Sequence, residues 1–217
     1  MGDHANNDRN QQFRNQMEGG SRLMTTVKSL CVYCGSSSGA SPGFAEAAER
    51  LGVLMAENGV RLIYGGGRVG LMGTIADAVL RGGGEVIGII PRHLQAKEVG
   101  HGEVTELIVV ESMHERKNAM SEMADAFAVL PGGLGTLDET FEIITWKQLR
   151  LHDKPVLVID VDGYWEPLRH LVESIVDNDF AHNDCAKLFT IVPSIDDVFP
   201  TLTAMPAPRF GVDTDRM

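Results

Sequence analysis

Long apolar runs are missing from this sequence. A membrane-spanning helix needs about 18 consecutive apolar residues, and the longest stretches here, such as 86–90 and 155–159, are only strand-length. No membrane partner is expected, and the first residues contain no apolar core of a signal peptide. Cysteine is scarce. Three is an odd count that suggests no disulfide framework and favours a reducing, cytoplasmic setting. Positive charge is in deficit: 19 Lys and Arg stand against 30 Asp and Glu, a formal net charge of −11. That balance excludes a uniformly basic nucleic-acid-binding surface, though a local basic pocket remains open. Any Gly-X-Y period is absent despite 24 glycines, so a collagen-like chain is excluded. What is present is ordinary for a soluble globular protein: 43% hydrophobic and 23% charged residues in a chain of 217. A chain of that length builds one core without staples.

The first twenty residues are rich in Asn, Gln, Asp and Arg, so residues 1–26 are expected to form a disordered tail. Residues 27–202 then alternate short apolar runs with amphipathic segments, and 203–217 read as a loose end. Strands are expected at 30–33, 60–64, 85–90 (ended by Pro91), 107–110, 126–130, 156–159 and 189–192. Helices are expected at 42–58, 71–81, 113–123, 136–149, 165–177 and 195–202, with an unpatterned connection over 92–104. Within 136–149, Leu137, Phe141, Ile144 and Gln148 fall on one stripe, which predicts the buried face. The alternation predicts an α/β chain: a single-domain, Rossmann-like, doubly wound parallel sheet of about seven strands with helices on both faces. The nearly continuous apolar strands agree with burial on both faces. In such sheets ligands bind beyond the carboxyl ends of the strands, which selects the loops after Tyr33, Tyr64 and Leu130.

Two of these loops are glycine-rich. Gly65-Gly66-Gly67-Arg68-Val69-Gly70-Leu71-Met72-Gly73 contains G-x-G-x-x-G between a strand and a helix, where backbone N–H groups approach a phosphate. A dinucleotide site also wants an acid at the end of the next strand, and Glu85 sits at the wrong end of it. The plainer alternative is a set of glycines serving a tight turn and close packing. Pro131-Gly132-Gly133-Leu134-Gly135-Thr136-Leu137-Asp138-Glu139 follows a buried strand and opens a helix, the setting of a backbone anion site. It lacks the Gly-Lys-Ser/Thr of a P-loop. Thr136-x-x-Glu139 also has capping-box spacing, so both side chains could simply cap the helix. The third loop, Gly35-Ser36-Ser37-Ser38-Gly39, offers hydroxyls and bare backbone.

Taken in order, these segments resemble the LOG ("Lonely Guy") family of cytokinin riboside 5′-monophosphate phosphoribohydrolases, often mislabelled lysine decarboxylases. The family's C-G-S-S is Cys34 to Ser37, its G-G-G-x-x-G-x-M-G is Gly65 to Gly73, its M-x-x-R-K is Met113 to Lys117, and its P-G-G-x-G-T-x-x-E is Pro131 to Glu139. The likeness runs from about Val27 to about Val192. It implies hydrolysis of the N-glycosidic bond of a purine nucleoside 5′-monophosphate, giving free base and ribose 5-phosphate, with no cofactor or metal. It matches Arg116 and Glu139 to the catalytic pair, and Glu98, Arg116, Lys117, Gly133, Leu134, Gly135, Thr136, Glu139 and Thr145 to substrate-binding positions. Gly35, Ser36, Gly66, Gly67 and Gly132 join them as loop candidates. Short members of the family are homodimers, so a homodimer is implied, with an interface on the helices flanking the Pro131 loop.

The chemistry suits those residue types. Glycoside cleavage builds positive charge on the sugar; a carboxylate opposes it and orients water. A 5′-phosphate wants backbone amides and an Arg. Three roles stay open for Arg116: gripping phosphate, positioning Glu139 or assisting the leaving base. A non-catalytic nucleotide-binding or sensing module on the same fold is the competing reading. Cys31-x-x-Cys34 with His182-x-x-Cys185 totals four candidate zinc ligands, but the pairs are far apart and buried small hydrophobes are the default for the first. His93, His101, His114, His152 and His170 show no H-E-x-x-H spacing and are read as surface or satisfied core. No lysine is marked as a Schiff-base former for decarboxylation.

Overall fold

The computed structural model describes residues 27–95 and 101–209; the expected tail at 1–26, the segment 96–100 that carries Glu98, and residues 210–217 lie outside the described residues. Seven strands form one sheet: β1 (Ser29–Tyr33), β2 (Arg61–Tyr64), β3 (Val86–Pro91), β4 (Glu106–Val110), β5 (Ala126–Val129), β6 (Val156–Ile159) and β7 (Thr190–Val192). Their order is β4-β3-β2-β1-β5-β6-β7, and every pairing is parallel. The helices are α1 (Pro42–Glu57), α2 (Gly70–Arg81), α3 (Arg92–Gln95), α4 (Met113–Met123), α5 (Leu134–Gln148), α6 (Glu166–Asp177) and α7 (Val198–Ala204).

Alternating side chains of the strands feed two cores. Leu30 and Val32 of β1 join one with Leu51, Ile75 and Val198, while Cys31 and Tyr33 join the other with Met120, Ile143 and Trp165. Residues two apart share a face of a strand, so the period-2 pattern of β1 sets the doubly covered sheet. On the first face, α1 and α2 approach closely because Gly52 has no side chain; a Cβ there would lie 2.6 Å from that of Ala78.

Several boundaries differ from expectation. Pro91 belongs to β3 and pairs with Val110, which costs no bond because its missing N–H falls at the strand's last residue. The connection over 92–104 begins with the one-turn α3. The last helix continues through Ala204, and Met205 packs against the first core, so 203–205 are not a loose end. Helix α5 starts at Leu134, two residues early. Its buried residues are Thr136, Thr140, Ile143, Ile144 and Trp146, whereas Leu137 and Phe141 are half-buried and Gln148 is exposed. The expected stripe was therefore displaced around the helix. Threonine hydroxyls hid the true face: Thr140 Oγ1 donates to the Thr136 carbonyl at 2.6 Å, which lets a polar residue be fully buried.

Candidate active site

Strand order reverses at β1, which pairs with β2 on one side and β5 on the other. Ligand crevices of open α/β sheets open at such a switch point. Here the loops leaving β1 and β5 are tied together: Leu130 N donates to the Tyr33 carbonyl at 2.9 Å, and Gly35 N to the Pro131 carbonyl at 3.0 Å. A cavity of about 240 Å³ opens beside them, lined by Cys34, Gly35 and Ser36, by Gly65, by Met113 and Arg116, and by Gly133 through Thr136 with Asp138 and Glu139. All four sequence motifs thus reach it through at least two residues each, the Gly65–Gly73 motif through Gly65 and Met72.

The helices α1, α2 and α5, which follow the three selected loops, start at this end of the sheet, and their N-termini differ. At α1, Ser41 Oγ accepts from Gly43 N at 3.3 Å, and the Asp162 carboxylate lies over Gly43 so closely that a Cβ would meet Oδ2 at 2.8 Å. At α2, Met72 N donates to the Gly35 carbonyl at 3.4 Å, and a Cβ on Gly70 would lie 2.4 Å from the backbone of Ser36 and Ser37. At α5, the N-cap is Gly133, which brings no capping side chain, and nothing lies within 4 Å of where a Cβ on Gly133 or Gly135 would sit. First-turn amides have no intrahelical acceptor; those of Leu134, Gly135 and Thr136 belong to residues that line the cavity. The α5 N-terminus is the one open to an anion, with the helix dipole behind it.

The capping-box reading of Thr136 and Glu139 does not hold. Thr136 is the third residue of α5, not its cap, and its hydroxyl packs on Gly132, where a Cβ would lie 2.1 Å from Oγ1. The sequence does contain a working cap of that kind on the neighbouring helix: Ser112 Oγ accepts from Glu115 N at 3.1 Å, and Glu115 Oε2 accepts from Glu111 N at 3.0 Å. That cap fixes the first turn of α4 and so the base of Arg116.

Arg116 and Glu139 meet at the inner wall. Arg116 Nη2 stands 3.7 Å from Glu139 Oε1, with only 8% and 11% of the two side chains exposed. The guanidinium also reaches the Gly65 carbonyl at 3.3 Å and the Met113 sulfur at 3.8 Å. A Cβ on Gly65 would lie 1.8 Å from Arg116 Nη2, so any side chain there would displace the guanidinium. All these contacts are long for a guanidinium, and Arg116 Nε is buried with no hydrogen-bond partner among the described residues. A buried cation with donor capacity to spare, held beside a buried carboxylate at a cavity wall, is arranged for a ligand rather than for stability. The Cys34 thiol, on the same wall, is pushed far up by burial and then by Glu139, so it stays protonated and is no nucleophile.

Other candidates fall elsewhere. Lys117 bridges Asp138 at 3.3 Å and Glu142 at 2.9 Å, locking α4 to α5 at the edge of the site. Burial works to lower its pKa, but those two carboxylates outweigh it and hold it above the ordinary lysine value. Gly66 and Gly67 do not line the cavity: a Cβ on Gly66 would press on Ile90 and Ile89, and the Gly66 carbonyl accepts from His101 N at 3.2 Å. Gly132 lines an adjoining cavity with Gly35, Ser36, Phe44 and Tyr164. Thr145 is exposed, nine residues along α5 from Thr136, and lines no part of the Arg116–Glu139 cavity. Glu98 lies outside the described residues. Cys31 and Cys34 belong to different cores, on opposite faces of the sheet, and no cluster of three or more His, Cys, Asp or Glu suited to a metal occurs among the described residues. Among the described residues no helix is long and apolar enough to cross a membrane.

Sequence reading missed Tyr164, whose hydroxyl donates to the Gly132 carbonyl at 2.5 Å. Nothing in its surroundings, Asp160 to Trp165, has a ligand-binding pattern; only the doublet Asp162-Gly163, a turn signal after a buried strand, marks the loop that brings it back over the sheet.

Comparisons with known proteins bear on the family and the fold. Residues 72–202 match the family model described as possible lysine decarboxylase. A rice (Oryza sativa subsp. japonica) protein named probable cytokinin riboside 5′-monophosphate phosphoribohydrolase LOGL1 is 46% identical over 165 residues, covering 76% of this chain and 74% of the relative. Cytokinin riboside 5′-monophosphate phosphoribohydrolase LOG7 of Arabidopsis thaliana is 44% identical over 167 residues, 77% of each chain. Among solved structures, the molybdenum cofactor binding protein of Rippkaea orientalis superposes with a TM-score of 0.62 at 23% identity, over 82% of this chain and 96% of that one, which speaks for the fold alone. With its four motifs gathered at one switch point and these relatives aligned over most of its length, the chain belongs to the LOG family.

Proposed function

We propose that this protein hydrolyses purine nucleoside 5′-monophosphates, of the cytokinin type or AMP itself, to free base and ribose 5-phosphate. The observation that carries this reading is the buried Arg116–Glu139 pair one turn beyond an open helix N-terminus. The α5 amides of Gly133 to Thr136 take the 5′-phosphate. Glu139 lies five residues beyond Leu134, the first residue of α5, about 7–8 Å at about 1.5 Å per residue, which is of the order of the span of a ribose 5-phosphate. Its carboxylate then faces the anomeric carbon. As the bond to the base breaks, positive charge gathers on the sugar ring; Glu139 opposes it and orients a water whose oxygen bonds to that carbon, while the base leaves with the electron pair and is protonated. Arg116, 3.7 Å from Glu139, positions that carboxylate at the cavity wall, and its remaining N–H donors serve the ligand. The relatives named for cytokinin riboside 5′-monophosphates support the substrate class.

Exposed Leu134 and Leu149, with half-buried Leu137 and Phe141, give α5 an apolar outer face that supports a homodimer closing on the cavity mouth.

The experiment incubates the protein with AMP, N6-isopentenyl-AMP and adenosine and follows free base. Either nucleotide should be cleaved at least about 10²-fold more efficiently than adenosine, the worth of two charge-assisted hydrogen bonds at the low end of their range. Glu139→Gln should retain the fold and nucleotide binding but lose about 10²–10³ in turnover. Binding of nucleotide without release of base by the wild type would favour the non-catalytic module instead.

A further inference from the structure

The peptide joining Gly132 to Gly133 is packed on one side only: Gly132 lies against Thr136 and the Gly35 amide, and Gly133 is open. Neither residue has a side chain, and a Cβ on Gly133 would meet nothing within 4 Å. Flanked by two glycines, such a peptide has unusual freedom to flip. A hydrogen bond restrains its carbonyl: the Tyr164 hydroxyl donates to the Gly132 oxygen at 2.5 Å. The tyrosine is itself held. After β6, Asp160 Oδ1 accepts from Trp165 N at 2.7 Å, and Asp162 and Gly163 take left-handed φ values of 54° and 75° that turn the chain back over the sheet. The ring then stands edge-on to Phe44, with centroids 5.4 Å apart, and to Trp165, 4.8 Å apart. The loops after β5 and β6 and the first turn of α1 are thereby joined through one tyrosine.

A trans peptide is planar, so its C=O and N–H point in opposite directions. Fixing the Gly132 carbonyl toward Tyr164 fixes the Gly133 N–H away from it; Gly133 lines both the Arg116–Glu139 cavity and the adjoining one, whereas Tyr164 lines the adjoining cavity and another beside Trp165 but not the Arg116–Glu139 one. We propose that Tyr164 is a positioning residue for the reaction: its hydroxyl sets the Gly132–Gly133 peptide so that the Gly133 amide joins the first turn of α5 in holding the substrate's 5′-phosphate. This rests on the reading of the site given under Proposed function.

Tyr164→Phe keeps both ring contacts and removes only the hydroxyl. With AMP, KM should rise about 10-fold, the worth of one charge-assisted hydrogen bond at the low end of its range, with a smaller change in kcat. With adenosine, which has no phosphate to lose, kcat/KM should stay within about two-fold of wild type. Ribose 5-phosphate, as a competing ligand, should weaken by the same factor as AMP. Equal losses on AMP and adenosine would mean a general structural role and overturn the proposal, as would an unchanged KM for AMP. A second measurement stands apart from turnover: AMP titrated calorimetrically into Glu139→Gln and into Glu139→Gln/Tyr164→Phe should show the same loss of affinity. If the wild type releases no base from any nucleotide, the hydrolase reading fails on its own; equal AMP affinities in the two titrated variants defeat the tyrosine's role whether or not base is released.

Discussion

The loop at Gly65–Gly73 and the loop at Pro131–Gly135 both leave a strand end, both open a helix and both carry the glycine spacing of a phosphate cradle, yet they differ in what surrounds their glycines. In the first, backbone presses on backbone. Gly70 abuts Ser36 and Ser37, a Cβ on Gly73 would lie 1.9 Å from the Arg68 carbonyl, and Gly66 leans on β3. In the second, Gly132 makes room for Thr136, and beyond it Gly133 and Gly135 face open space. A glycine is needed in the first loop because something is there, and in the second because something has to arrive. The expectation that both loops cradle phosphate is corrected for the first: its glycines build the turn, let Arg116 pass over Gly65 and bring the β1–α1 loop against α2. The helices behind the loops differ as well. Helix α2 is tied by Asp77 to the His101 ring at 2.8 Å, while α5 is tied through the Ile143 carbonyl to the buried His152 ring at 2.8 Å.

The largest effect that would break the contrast is on stability. Gly70→Ala adds a side chain at φ 64° with backbone 2.4 Å away, combining left-handed strain with overpacking. The loss should be about 4 kcal/mol, read as a thermal midpoint lower by about 10 °C. A loss below about 1 kcal/mol would mean that the first loop is as open as the second.

Next in size is an acid effect on the anchor of α5. His152 is fully buried; its Nε2 faces the Ile143 carbonyl, and its Nδ1 accepts from Lys154 N at 3.1 Å. That pattern assigns the neutral ring with its proton on Nε2. Burial lowers its pKa to about 4, with the bond to Ile143 opposing the shift and the Lys147 and Lys154 charges adding to it. The unfolded chain takes up a proton near the ordinary value of about 6.5 while the folded one does not. The histidine's contribution is therefore intact above that value and is lost as pH falls toward 4, by up to about 3 kcal/mol. Urea titrations between those pH values should show the decline, and His152→Gln, which keeps a donor and an acceptor without titrating, should show a shallower one. Matching slopes in the two proteins would remove His152 as the cause.

The smallest expected change sharpens the contrast from the open side. Gly135→Ala should alter stability by less than about 0.5 kcal/mol, since the methyl meets nothing and alanine suits a helix. KM for AMP should nevertheless rise several-fold, because the methyl crowds the amide assigned to the phosphate. An unaltered KM would move the phosphate off the first turn of α5.

Much of the fold was legible because strands buried on both faces leave unbroken apolar runs; β1, β5 and β6 were found to within a residue at either end. The first turn of α5 was not legible, because its cap is a glycine that contributes no side chain, while Thr136 and Glu139 imitate a capping box three residues downstream. The catalytic candidates Arg116 and Glu139 were found through their motifs, and the structure brings them together. Lys117 was placed among ligand contacts, but here it ties α4 to α5 through Asp138 and Glu142. Tyr164 escaped because its partner is a carbonyl 32 residues away, and a main-chain acceptor leaves no trace in residue type.

The pairing of β1 with β5 also governs when the site comes into being. The Asp125 carboxylate holds the amides of Lys28 and Ser29, each at 2.9 Å, and the Ser29 hydroxyl at 3.0 Å, across a sequence separation of 97 for the first of these. Closing so long a loop is entropically costly and slow compared with forming the local β1–α1–β2–α2–β3 units. On a ribosome, the N-terminal half emerges with its glycine turn formed and nothing to bind, because Glu139 and the open helix end have yet to be made. Cleavage of nucleotides therefore begins only after the central strand gains its second neighbour, and no partly synthesised chain that stops short of β5 has a competent site.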